Sequence, residues 1–137
     1  MILFQNRLIV LDYSPSTDVL SVEWPSVSAY DLPEVEQSLN TLVEYIRNYD
    51  VKRLLIDSTK AAISPELDMV EYQAIVTEFA HRLTKTRLQK SARIMHADLV
   101  REKISREIGD QVSKKANLKL ENRNFYNRVE ALAWLTA

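Results

Sequence analysis

Val51-Lys52-Arg53-Leu54-Leu55-Ile56-Asp57-Ser58-Thr59-Lys60 is the stretch whose reading decides the fold. Leu54-Leu55-Ile56 forms an apolar strand core that runs straight into an acid and two hydroxyls. Asp, Ser and Thr favour turns because their side chains hydrogen-bond the nearby backbone. The strand therefore ends at Asp57. One amphipathic helix precedes it and at least two follow, which places it near the middle of an α/β sheet. In such sheets ligands meet the loops at the carboxyl ends of the strands. Asp57, Ser58 and Thr59 are accordingly the first candidates for a ligand or partner surface.

Upstream, Leu8–Tyr13 reads as a strand, Ser14–Asp18 as a turn and Val19–Trp24 as a second strand. Leu20, Val22 and Trp24 alternate with Ser21 and Glu23, the period of a half-buried strand. The short connection predicts an antiparallel hairpin, and Pro25 closes it. Asp31-Leu32-Pro33-Glu34 then reads as a helix start, with Asp31 as cap and proline in the first turn. Leu32, Val35, Leu39, Leu42, Val43 and Ile46 recur at helical spacing and form one apolar stripe. Asn48-Tyr49-Asp50 ends that helix.

Downstream, Ser64 is expected to cap a second helix with Pro65 at its first position. Leu67, Val70, Ile75, Val76, Phe79 and Leu83 make its buried stripe, and His81, Arg82 and Lys85 complement its dipole. Ser91-Ala92-Arg93-Ile94-Met95 is the next strand. Asp98 caps a third helix with Val100, Ile104, Ile108 and Val112 in line, while Arg101, Glu102, Lys103, Arg106, Glu107 and Asp110 face solvent. Gly109 inside this pattern predicts close packing or an early stop. A short strand is expected around Leu118–Glu121, with Asn122-Arg123-Asn124 breaking regularity and Phe125 at the core edge. Asn127 caps a last helix, Arg128–Leu135, that buries Val129, Leu132 and Leu135.

The order β-β-α-β-α-β-α-β-α predicts a mainly parallel sheet with an N-terminal antiparallel hairpin. A parallel strand covered on both sides reads as a near-continuous apolar run. Here Lys52, Arg53 and Arg93 interrupt the strands. The helices are therefore expected mostly on one face, leaving the other partly polar or available for contact. The 137 residues form one domain, 1–137.

Composition removes several functions. There are 18 basic and 19 acidic residues, so no general field draws the chain to nucleic acid or anionic membrane. There is no cysteine, which excludes disulfides, thiolate nucleophiles and Cys-type zinc sites. The single glycine, Gly109, excludes both G-x-G-x-x-G and Walker A loops. No apolar run approaches the length needed to span a bilayer, and Met1–Arg7 lacks the pattern of a signal peptide. A cytoplasmic location is the expectation. No H-E-x-x-H spacing exists, and neither a metal nor a cofactor is expected.

Three stretches carry a resemblance. They are Leu54-Leu55-Ile56-Asp57, the capped segment from Ser64, and the closing Phe125-Tyr126-Asn127-Arg128-Val129-Glu130-Ala131-Leu132-Ala133-Trp134-Leu135. Together with the element order they resemble the SpoIIAA-like family, the fold of STAS domains and bacterial anti-sigma-factor antagonists. The closing stretch is similar to a small standalone branch labelled STAS/SEC14-like. The resemblance implies a non-enzymatic regulatory or protein-interaction domain. In the sporulation antagonists of that family a kinase phosphorylates a hydroxyl in an Asp-Ser-x-Gly motif, at the start of the helix after the central strand. This chain reads Ala61-Ala62-Ile63-Ser64-Pro65-Glu66 there, with no Asp-Ser pair and no glycine. Ser64 is the only candidate phosphosite nearby, and its capping role competes with modification.

Three functions follow in order. The first is a regulatory domain with a protein partner, or a homodimer formed through the less covered sheet face or an edge strand. The second is a small-molecule or lipid-binding module with its site at Asp57, Ser58, Thr59 and His96. The third is a hydrolase or lyase that pairs His96 with Asp57.

Overall fold

The computed structural model describes residues 1–117 and 120–137. Strand β2 (Val10–Ser14) and strand β3 (Val19–Glu23) form the expected hairpin, with Leu11 opposite Val22 and Tyr13 opposite Leu20. Asp18 adopts φ 55 in its turn, a left-handed conformation that short polar side chains tolerate. A strand the sequence reading did not place, β1 (Ile2–Gln5), adds antiparallel to β2 with a bulge between Ile2 and Phe4.

Helix α1 (Leu32–Asn48) leads to strand β4 (Arg53–Asp57), the deciding stretch. Then come α2 (Met69–Leu83), β5 (Lys90–Ile94), α3 (Leu99–Ala116), β6 (Glu121–Phe125) and α4 (Arg128–Leu135). The sheet order is β1-β2-β3-β4-β5-β6, and β3 to β6 are parallel. Each crossover thus steps to the next strand in the same direction. Right-handed crossovers in a constant direction put every connecting helix on one face.

The packing follows from that rule. On one face Leu11, Leu20, Val22 and Leu54 meet Leu39, Leu42 and Ile46 of α1, Ile75 and Phe79 of α2, and Ile108 and Val112 of α3 in one buried cluster. Among the described residues the opposite face packs only α4. Val19, Leu55, Ala92 and Ile94 meet Ala131 and Leu135 there, with Phe125 and Trp134 at the margin. Trp134 lies 5.7 Å from Phe125 and under the cations of Lys90 and Arg123. The rest of that face, over β1 to β3, is mixed: Ile2, Gln5, Asp12, Ser14 and Glu23 are exposed, and Val10 and Ser21 half-buried.

Several expectations are corrected. Helix α2 does not begin at Ser64. Residue Ser64 donates its N–H to Val27 O at 2.9 Å beside an isolated bridge between Val27 and Ile63. Pro65 disfavours a helical conformation at the residue before it. Asp68 is the cap instead, accepting from Val70 and Glu71 N–H at 3.0 and 3.1 Å. Asp31 stands at the N-cap of α1 but makes no capping bond, because Ser28 and Arg7 occupy its carboxylate. Asp98 and Asn127 cap α3 and α4 as expected.

Gly109 neither packs closely nor stops its helix. A Cβ there would meet nothing within 4 Å, and α3 runs on to a left-handed Asn117 cap. Of the strand expected around Leu118–Glu121, Leu118 and Lys119 lie outside the described residues. The strand itself takes Asn122-Arg123-Asn124, which the sequence reading assigned to irregular chain. Burial is overturned at Val70, Val100, Ile104 and Val129, all exposed. Each sits in the first or second turn of its helix.

Candidate functional site

The carboxyl ends of β3 to β6 and the first turns of α1 to α4 share one end of the molecule, because each parallel strand feeds the helix that returns from it. The candidate site residues Asp57, Ser58, Thr59, Ser64 and His96 all lie at this end. Only some of them meet.

Asp57 closes β4. Its Oδ1 accepts from Thr59 N–H at 3.0 Å and from Thr59 Oγ1 at 2.6 Å. This is a closed local turn, with the carboxylate bonded two residues ahead. Ser58 is buried, and its N–H donates to Ile94 O at 3.1 Å, joining the turn to the end of β5. A buried hydroxyl is not open to a kinase. Ser64 is half-buried, and its Oγ lies 3.5 Å from a Glu66 carboxylate oxygen. That neighbour opposes an added phosphate.

A cleft of about 420 Å³ opens beside this turn, lined in part by Arg7, Glu23, Pro25, Asp57, Thr59 and Lys60. Neither Ser58 nor His96 lines it. Arg7 is already bound to Asp31 and Glu34. The hydrogen bonds it donates to Glu34 first, then to Asp31, hold its guanidinium above the ordinary pKa. Hydrogen bonds from Ser28, then Arg7, hold Asp31 below the carboxylate range. Among the described residues Glu23, Asp57 and Lys60 form no ion pair, and of these only Asp57 is held by a neighbour, Thr59.

His96 belongs to a different cluster. Its backbone N–H donates to Glu102 Oε1 at 2.7 Å, and its Nδ1 accepts from Asp98 N–H at 2.9 Å. With Nδ1 accepting, a neutral ring carries its proton on Nε2. Nε2 is buried without a partner among the described residues. His96 makes no hydrogen bond to Asp57. The pairing that a hydrolase or lyase reading required is not formed in this arrangement.

The residue that organises the second cluster is Glu102, expected in solvent and found 6% exposed. Arg93 grips it through both amino groups at 2.7 and 3.0 Å, and Arg106 Nε donates at 3.0 Å. Burial pushes the Glu102 carboxyl up. Hydrogen bonds from Arg93 and His96 N–H, the Arg93 charge and the Arg106 bond outweigh it, and the pKa lies below the ordinary value. Nearby, Trp24 Nε1 donates to the buried Tyr72 hydroxyl at 3.0 Å, and desolvation raises the Tyr72 pKa. The one sequence signal for Glu102 was Arg93, a cation inside a strand that a helix covers. A buried cation of that kind needs a carboxylate above it.

The same end exposes apolar side chains. Val70 is 81%, Leu99 82% and Val100 71% exposed, and Tyr30, Met69, Tyr126 and Val129 join them in solvent. Asp98 stands among these residues, its carboxylate held below the usual range first by Arg101 N–H, then by Val100 N–H.

Among the described residues no group of His, Asp and Glu is arranged to hold a metal ion, and no helix is long and apolar enough to cross a membrane. Comparison with protein-family models, with curated proteins and with solved structures finds no match to this chain.

Proposed function

We propose that this chain is a non-enzymatic, regulatory protein-interaction domain whose docking surface is the apolar rim at the carboxyl edge of its parallel sheet. The observation that supports this reading is where the exposed apolar residues fall. Val70, Val100 and Val129 sit in the first turns of three helices, at positions whose helical spacing points to a core, and Leu99 stands beside Val100; the fold leaves all four in water. Large apolar groups gathered at one end mark interaction sites. The resemblance to STAS and anti-sigma-factor-antagonist domains points to the same class of function.

The rim also suggests the partner's character. Glu66, Asp68, Glu71 and Asp98 flank the starts of α2 and α3, against Arg101 and Lys103. That acidic excess disfavours an anionic membrane. It suits a protein whose apolar contact is bordered by basic residues.

A small-molecule module is the second reading, favoured by the cleft beside Asp57 and Thr59. Its size falls within the range of ligand pockets. Its lining is mainly charged and polar, whereas such pockets are predominantly apolar, and the rim therefore carries the first reading.

The test is a double substitution, Leu99→Ser with Val100→Ser. Both side chains are exposed, so the thermal midpoint stays within a few degrees of the parent. A protein retained by the parent chain in native mass spectrometry is identified and purified, and its Kd is measured against both forms. The expected rise is about tenfold or more. An unchanged Kd removes the rim from the interface. A retained small molecule displaced by Lys60→Ala replaces this reading with the second.

A further inference from the structure

The two edges of the sheet are built differently. At β1 the ladder carries a bulge between Ile2 and Phe4, and the terminal ammonium is tied to Asp12 at 2.9 Å. A bulge is a common protection against edge-to-edge pairing. At β6 the register against β5 runs without a break from Glu121 to Phe125. Its first four residues are exposed, and no described element lies outside it. Proline and bulge are both missing from β6, and its only charges are Glu121 and Arg123.

The ladder fixes which backbone groups are free. Glu121 N–H donates to Gln89 O at 3.1 Å, and Phe125 O accepts from Met95 N–H at 2.8 Å. In a parallel pair the bonded residues alternate. Glu121, Arg123 and Phe125 therefore bond toward β5. Asn122 and Asn124 turn their N–H and C=O groups outward.

We propose that β6 is a self-association edge: a second copy of this chain pairs with it antiparallel about a two-fold axis at Asn122. In that register the two Asn122 residues exchange both backbone bonds. Glu121 of each copy falls opposite Arg123 of the other, in the close, non-hydrogen-bonded position. The strand is thus complementary in charge to its own reverse. Both side chains leave the α4 face, where Arg123 already lies 5.3 Å from the Trp134 ring. The neighbouring two-fold registers, centred on Arg123 or on Glu121, set that charge against its own copy, and the one centred on Asn124 sets Arg123 against Phe125 and leaves Glu121 beyond the paired segment. Charge therefore selects Asn122. The product is one continuous twelve-stranded sheet, six from each copy, and this closed two-fold arrangement leaves the rim at the strand ends open.

The absence of cysteine makes the register directly testable. Asn122→Cys places two thiols across the axis at a Cα separation of roughly 5.5 Å, within disulfide range. Asn124→Cys, two residues away on the same edge, places them far beyond it. A thiol oxidant should link the first variant into a dimer and leave the second monomeric. Equal linking of both, or of neither, overturns the register. Sedimentation of the cysteine-free chain supplies the second arm. Arg123→Glu should raise the dimer Kd by about tenfold or more, and adding Glu121→Arg should restore it. A parent chain that stays monomeric at its highest soluble concentration overturns the proposal. So does a dimer indifferent to Arg123→Glu.

Discussion

Asp57 and Arg93 stand on adjacent strands near the same end of the sheet, yet their charges are handled differently. Asp57 is bonded within its own turn, by Thr59 two residues ahead. Arg93 is bonded across layers, to Glu102 nine residues on, in the helix that covers it. The first arrangement shapes a loop. The second fixes α3 to β5 and, through His96 N–H, fixes the connection between them. A charge at a strand end has water to hand, whereas one under a helix requires a partner. The difference teaches that the deciding stretch and the anchoring contact of this fold are separate places.

Removing each carboxylate separates the two. Glu102→Ala leaves the Arg93 guanidinium under α3 without its partner, and breaking a buried pair in this way costs about 3 kcal/mol. Asp57→Ala loses two local turn bonds at a half-buried site, together worth about 1 to 2 kcal/mol. Urea unfolding of both variants checks the ranking. Equal losses would mean that the Asp57 turn holds more of the structure than its local bonds indicate.

Acid sharpens the same contrast. The Glu102 pKa is lowered in the folded chain. The unfolded chain therefore binds a proton there more readily, and stability rises with pH in that range. The contribution is full above the ordinary Glu value near 4.5 and is lost as pH falls toward the lower folded value. Asp31 and Asp98 are lowered too and add to the parent's acid slope. The Glu102 part is thus the difference between the parent and Glu102→Gln, measured by unfolding from neutral pH into acid. That difference should shrink as pH falls below 4.5. A difference that grows instead would show that the carboxylate is not the favoured form in the fold.

What could be seen in the sequence follows the same division. The deciding strand, the hairpin and the helices after Asp31 and Asp98 were legible because alternation, helical spacing and caps are local. Asp57 and Thr59 were legible as a turn for that reason. Ser64 misled because a serine before proline has the local form of a helix start, whereas its pairing with Val27 comes from a segment 37 residues earlier. Glu102 was read as solvent-facing because it stands in a run of charged residues, Arg101 and Lys103 on either side. Only the register of β5 against α3 turns that one position inward. Val70, Val100 and Val129 kept their helical period, but the period does not say where the sheet ends beneath them. Glu121–Phe125 hid because an edge strand with few apolar residues has no alternation to show.

The smallest effect tests how α3 is held. If Glu102 at its start supplies the anchoring, the middle of the helix should tolerate change. Gly109 is exposed, lies ten residues into α3 and has helical rather than left-handed backbone, since no glycine here takes positive φ. A methyl group there would meet open space. Gly109→Ala therefore gains the helix preference of alanine, about 0.5 to 1 kcal/mol, and raises the thermal midpoint. In a Glu102→Ala background the same gain should add in full, because the two sites share no partner. A gain that disappears in that background would show that α3 is no longer formed once its anchor is removed, and would make Glu102 the condition for the helix rather than only for its attachment.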